Sequence, residues 1–189
     1  MSVFANFLIF QAGWFATVLG AANGAPWLGP IAVLVAVVLH LWTNNDAAAE
    51  LRLLGSAVAL GLVADSLLLA TGWIAYPNGS WVPGLAPYWI VTLWALFATT
   101  LNVSMRWMAG RYLLAALFGA IGGPLSYLAG ARLGAMTFVD TGSAVTALAI
   151  GWGLAMPLLM WLAARFEQRG HTRRPSFIKD SWREAKDNA

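Results

Sequence analysis

The chain has 189 residues, 60% of them apolar and 10% charged, with no cysteine. A soluble domain carries about 25% charged residues, so this composition cannot cover a water-facing surface, and it lies equally far from the high charge and low hydrophobicity of disorder. A disulfide-built secreted domain is excluded as well, which leaves an integral membrane protein with almost no extramembrane mass.

The formal charge of +3 is unevenly placed. Over residues 1–164, four basic residues (Arg52, Arg106, Arg111, Arg132) balance four acids (Asp46, Glu50, Asp65, Asp140). Residues 165–189 hold seven basic residues against four acids. A basic tail beside a membrane reads as a cytoplasmic anchor on anionic lipid. No nucleic-acid recognition motif accompanies it, so no nucleic-acid partner is expected.

A bilayer core of about 30 Å needs about 20 apolar residues per helix. Six stretches are candidates: 3–21, 27–43, 51–74, 88–108, 112–131 and 143–164. The expected fold is all-α, with six transmembrane helices in a compact bundle joined by short loops. Residues 1–164 form that domain, and residues 165–189 form a basic cytoplasmic tail.

The first stretch carries Asn6 and Gln11 in its apolar run and lacks a basic leader, so it reads as a retained span. The second is the shortest and holds His40 near one end. The links after the first and third stretches echo each other as NGAPWLGP and NGSWVPG. Asn-Gly supplies positive φ, Pro starts the next helix and Trp anchors it. That echo fits parallel turn chemistry or a duplication.

The third stretch contains Asp65, 13 residues beyond Arg52, or about 20 Å along a helix. Gly61 and Gly72 share its face. Polar groups inside a bilayer are expensive, which makes Asp65 the leading functional candidate. Arg132 is the one basic residue expected to reach it. A pair with Arg132 makes Asp65 structural; without that pair Asp65 is a candidate proton acceptor or ligand group.

The fourth stretch carries a polar stripe at Thr92, Ala95, Thr99, Asn102 and Arg106. Together with Asn6, Gln11, His40, Glu50, Arg52 and Arg111 it could gather on the cytoplasmic side. Such a gathering is either interhelical hydrogen bonding or a polar cavity. The fifth stretch holds the small-residue pairs Gly119–Gly123 and Gly130–Gly134, with Gly122, Gly123 and Pro124 in mid-span. Small residues let helix backbones approach closely in lipid. The alternative is a broken helix lining a cavity. The sixth stretch repeats a small face at Ala147, Gly151 and Ala155.

In the tail, Phe177, Ile178, Ser181, Trp182 and Ala185 share one helical face. A short amphipathic helix on the inner leaflet is expected, or a docking helix for a membrane-protein partner. Positive-inside topology places both termini in the cytoplasm, which leaves Arg132 as the one outside basic residue. Trp27, Trp73, Trp81 and Trp89 then form an outer aromatic belt.

Two histidines and no cysteine argue against a zinc site. The nucleophile-elbow, Walker and dinucleotide motifs are absent from the sequence. No metal or cofactor is expected. A Ser-His-Asp set would need His40 and Asp65, which sit at opposite membrane depths.

The segments NFLIFQAGWFATVLGA, APWLGP, GLVADSLL, PYWIVTLWALFATTLN and GAIGGPLSYLAGARLGA resemble a family of small multi-pass bacterial inner-membrane proteins classed as a domain of unknown function. The resemblance covers about residues 4–164. It implies a bacterial inner-membrane location and brings no activity with it. A loose association with genes of membrane fatty-acid modification points toward lipid.

The leading functional expectation is binding or translocation of a small amphiphile or lipid, alone or as a subunit of a membrane complex. Its ligand-binding constellation is Asn6, Gln11, Asp65, Asn102 and Tyr127, with Arg132, Gly122, Gly123 and Pro124 in structural or pairing roles. One alternative is an intramembrane enzyme of lipid modification with Asp65 as catalytic acid/base. Another is a scaffold subunit that docks partners through the tail.

Overall fold

The computed structural model describes residues 1–44 and 46–172, with side chains through Gln168. The tail segment expected to form an amphipathic helix lies outside these described residues. The described chain is helical, as expected. It forms α1 (Val3–Ala22), α2 (Leu28–Trp42), α3 (Ala47–Ala70), α4 (Tyr88–Leu101), α5 (Tyr112–Arg132) and α6 (Thr141–Thr172). A 3-10 turn spans Arg106–Met108. Two short strands, β1 (Ile74–Ala75) and β2 (Thr137–Phe138), pair antiparallel, with Ile74 opposite Phe138.

Four helices, α1, α3, α5 and α6, are long and apolar enough to cross a membrane. The other two, α2 and α4, have 15 and 14 residues. At about 1.5 Å per residue they fall short of a core of about 30 Å.

The ends follow local chemistry. α3 begins earlier than the apolar stretch because Asp46 caps it, its Oδ1 accepting the Ala49 N–H at 3.0 Å. Asp140 precedes α6 and accepts from the Ser143 hydroxyl at 2.7 Å and its backbone N–H at 3.1 Å. These donors hold the Asp140 carboxyl below its ordinary range. The fourth helix, expected to reach residue 108, stops at Leu101. Its last turn is held by other partners. The Thr99 and Thr100 hydroxyls donate to the carbonyls of Leu96 and Phe97 at 2.7 and 2.6 Å, and such local bonds compete with helix continuation. The polar stripe therefore breaks, and Arg106 sits exposed on the 3-10 turn, paired with Glu167 at 2.9 Å.

Successive helices alternate in direction. At one end Asn78 donates to the Ala21 carbonyl at 2.8 Å, Trp89 donates to the Asn78 carbonyl at 3.0 Å, and Val139 donates to the Trp73 carbonyl at 2.8 Å. At the other end Asn6 reaches the Thr99 carbonyl, Asn102 reaches Glu50, and Arg106 reaches Glu167. The start of α1 and the far part of α6 thus share an end. Gly24 and Gly79 both adopt positive φ, 75° and 85°, so the echoed links share turn chemistry. One expected belt residue is corrected: Trp89 is fully buried, since its indole N–H closes the 78–89 loop. Trp27 and Trp81 remain exposed.

α5 packs along α6; α1 packs along α2 and α4; and α3 packs on α4 and α6. α5 makes no extensive contact with α1. Gly119 and Gly123 face α6: a Cβ at Gly119 would overlap the Trp152 carbonyl, and one at Gly123 would overlap the Trp152 ring. α5 is continuous through Pro124, so the close-packing reading holds and the broken-helix reading does not. The Gly130–Gly134 pair is corrected, because Gly134 lies beyond the helix at φ 93°. Leu113, Leu117, Ile121 and Leu125 on α5, like Ile31, Leu34, Val35 and Val38 on α2, point outward from the bundle.

Replacing Gly123 with Ala is expected to cost about 1–3 kcal/mol through overpacking. Gly122→Ala meets nothing closer than Phe118 Cε1 at 3.8 Å and should stay within about 0.5 kcal/mol of the parent. Thermal unfolding in detergent compares the two. Equal losses would contradict this packing.

Candidate functional site

Asp65 lies on the buried face of α3 that also carries Leu54, Ala57, Gly61 and Leu68. It is 1% exposed. One turn earlier, Gly61 leaves room for Trp94 of α4; a Cβ there would overlap the indole. Trp94 Nε1 donates to Asp65 Oδ2 at 2.8 Å. On α5, Gly123 makes the same kind of room for Trp152 of α6, and one turn later the Tyr127 hydroxyl donates to Asp65 Oδ1 at 2.5 Å. Trp94 and Trp152 stack face to face, centroids 4.4 Å apart at 11°. Two glycine-to-indole contacts thus bring α3, α4, α5 and α6 together around one carboxylate.

The expected Arg132 partner is not there. Among the described residues no salt bridge involves Asp65, and Arg132 is exposed at the end of α5. Asp65 is held by neutral donors.

Cavities lie on both sides of this layer. Where α1 and α5 fail to pack, a groove of about 490 Å³ opens, walled by residues such as Phe7, Phe10, Phe97, Phe118 and Leu125. Its polar contributors are neutral: Gln11, Thr100, Ser104 and Ser126. Ser126 Oγ accepts the Trp14 indole N–H at 3.1 Å. A narrow extension of about 60 Å³ continues past Trp14 to Tyr127 and Trp94. Between α3 and α6 a second cavity, of about 280 Å³, is bordered by Asp65, Trp94, Tyr127 and Trp152.

The remaining candidates gather elsewhere. His40 Nε2 lies 2.9 Å from Glu50 Oε2, and Asn44 and Asn102 donate to Glu50 Oε1 at 3.0 and 2.9 Å. His40 and Glu50 are both buried. Asn6 donates to the Thr99 carbonyl at 3.0 Å and accepts from Ser104 N at 3.3 Å. These groups use their capacity on one another, which is the hydrogen-bonding alternative for the cluster at the end shared by α1 and α6. The five-residue constellation is therefore dispersed. Asp65 and Tyr127 meet, Gln11 borders the groove, and Asn6 and Asn102 tie helix ends. Arg111 and Arg52 stay outside the cluster's bonds, and the Arg52 guanidinium lies 5.6 Å from the centre of the Phe166 ring. Sequence reasoning missed Trp94 and Trp152. The available signal was a glycine one turn from a polar residue on the same helix, which leaves space for a large ring.

A family model described as "Protein of unknown function (DUF2878)" matches residues 3–158. The chain belongs to this family. The match includes Asp65, Trp94, Tyr127, Trp152 and the groove-lining residues, and the DUF2878 region ends before the basic tail. No curated protein and no solved structure matches the chain.

In this DUF2878 chain, Tyr127→Phe removes one of two donors to a buried carboxylate and should cost about 1–3 kcal/mol. Trp94→Phe should behave alike. Arg132→Ala should change stability by less than about 0.5 kcal/mol. Thermal melts of the three purified variants provide the comparison. A large Arg132→Ala loss would restore the ion-pair reading.

Proposed function

We propose that this DUF2878 protein is a six-pass bacterial inner-membrane protein that binds or translocates a small amphiphile or lipid in the α1–α5 groove. One observation carries the reading: the groove is apolar, uncharged and of a size that accepts a ligand. It lies between two helices with outward apolar faces, so a ligand can enter sideways from lipid. The neutral oxygens and amide of Gln11, Ser104 and Ser126 suit a hydrogen-bonding headgroup or ester better than a charge.

The alternating helix directions and the basic residues Arg52, Arg106 and Arg111 at the end shared by α1 and α6 support cytoplasmic termini. The proposed six passes include α2 and α4, whose short lengths are compensated by local thinning or flanking residues. The tail is proposed to rest on anionic lipid. A second reading, acid/base chemistry on lipid by Asp65, draws on the position of its carboxylate at the wall of a cavity.

Gly122→Leu projects into the groove from a position with free space. Titration of the purified protein with a pyrene-labelled fatty acid should show affinity falling about tenfold in this variant, equivalent to about 1.4 kcal/mol. Equal affinities would remove the groove as the site. Topology is open to a direct check, because the chain has no cysteine. An impermeant maleimide applied to intact cells should label Asn23→Cys and spare Ala109→Cys; the reverse pattern would invert the orientation.

A further inference from the structure

The α3–α6 cavity is distinct from the groove in its chemistry. Its volume is about 280 Å³ and its wall is apolar except near Asp65 and Thr71. Asp65 presents a carboxylate with about four acceptor positions, and Trp94 and Tyr127 use two of them. No salt-bridge partner is present among the described residues. A buried carboxylate without a cation is costly, so a donor that brings positive charge gains most there. The rings of Trp94, Tyr127 and Trp152 border the same cavity. Aromatic rings bordering a cavity beside a carboxylate form surroundings that suit an ammonium group. The Tyr76 hydroxyl, in the loop that follows α3, is buried with no hydrogen-bond partner among the described residues.

The cavity also has an entrance. Gly151 and Leu67 on its rim are exposed, and Thr71, at the end of α3, is exposed too. The opening is therefore lateral and close to the end of the bundle that carries Trp81 and the β1–β2 ladder.

We propose that this cavity is a binding site for a small organic ammonium group, primary or methylated, with Asp65 as counter-ion and Trp94, Tyr127 and Trp152 as its aromatic walls. The group comes either from a soluble amine or from an amine-bearing lipid headgroup. The proposal is independent of the α1–α5 groove. Trp152 borders both spaces, and Trp94 and Tyr127 also border the groove's narrow extension, so each space is probed from its own glycine.

The test uses the full chain in nanodiscs of phosphatidylglycerol and follows tryptophan fluorescence. Choline and ethanolamine are titrated beside 3,3-dimethylbutanol, a neutral isostere of choline. Parallel native mass spectrometry compares retention of phosphatidylethanolamine with that of phosphatidylglycerol. Saturable binding of the free amines with at least tenfold preference over the alcohol supports a soluble ligand. Preferential retention of phosphatidylethanolamine supports a headgroup. In either arm Gly151→Leu, which enters space with nothing within 4 Å, should weaken binding about tenfold or more. Asp65→Asn should do the same, and Gly122→Leu should leave it unchanged. Absence of amine preference in both arms overturns the proposal, as does undiminished binding by a folded Gly151→Leu variant. Loss of fatty-acid binding in Gly122→Leu with amine binding intact would confirm that the two sites stand apart.

Discussion

A carboxylate with no counter-ion among the described residues organises the centre of this bundle. Asp65 sits about a turn and a half from the end of α3, buried and with no salt-bridge partner among the described residues. The hydrocarbon environment supplies no donor, so the protein must. The donors are an indole N–H and a phenol O–H, both amphipathic groups whose rings can be buried while the polar tip finds a partner. The Trp94 indole demands space that Gly61 supplies, and Gly123 supplies the same for Trp152. The stacked Trp94–Trp152 pair follows from these two vacancies. Van der Waals packing and a few hydrogen bonds are what hold helices together in lipid, and here both act at the same place.

That arrangement commits α5 to α6 and leaves α1 to α2 and α4. The groove between α1 and α5 is the consequence. Gly119 and Gly123 are spent on close approach to α6, whereas Gly122 projects toward the open side. A single small-residue run thus serves two purposes on two faces: it closes one interface and widens another. Pro124 does not break the helix between them, because neighbouring helices can accommodate a proline within a membrane bundle.

Much of the architecture was legible because it depends on short-range rules. Apolar length, Asn-Gly turns and charge placement located the helices to within a few residues at most ends, and the isolation of Asp65 in an apolar run identified the central acid. Two features depended on partners remote in sequence. The last turn of α4 is tied to Asn6, 93 residues away from Thr99, and to Glu50, 52 residues away from Asn102. No periodicity in the fourth stretch encodes those bonds. The choice of Trp94 and Tyr127 over Arg132 was hidden for the same reason. Charge complementarity favoured Arg132, but its place at the end of α5 leaves that residue exposed, and two nearer neutral donors bind the acid instead.

The two short helices share a physical explanation with the buried polar cluster at the opposite end. α2 finishes near His40 and α4 finishes at Asn102, and both deliver a side chain to Glu50 at the start of α3. Irregular backbone at membrane depth is tolerated where protein groups satisfy it. Here the segment after α4 is tied back by Met105 N to the Thr100 carbonyl at 2.9 Å and by Ser104 N to Asn6 at 3.3 Å. Glu50, held by two amides and an imidazole, closes the end of the bundle below the level reached by α6. The short helices stop where a buried polar network replaces the next helical turn, and the longer α6 runs on past them.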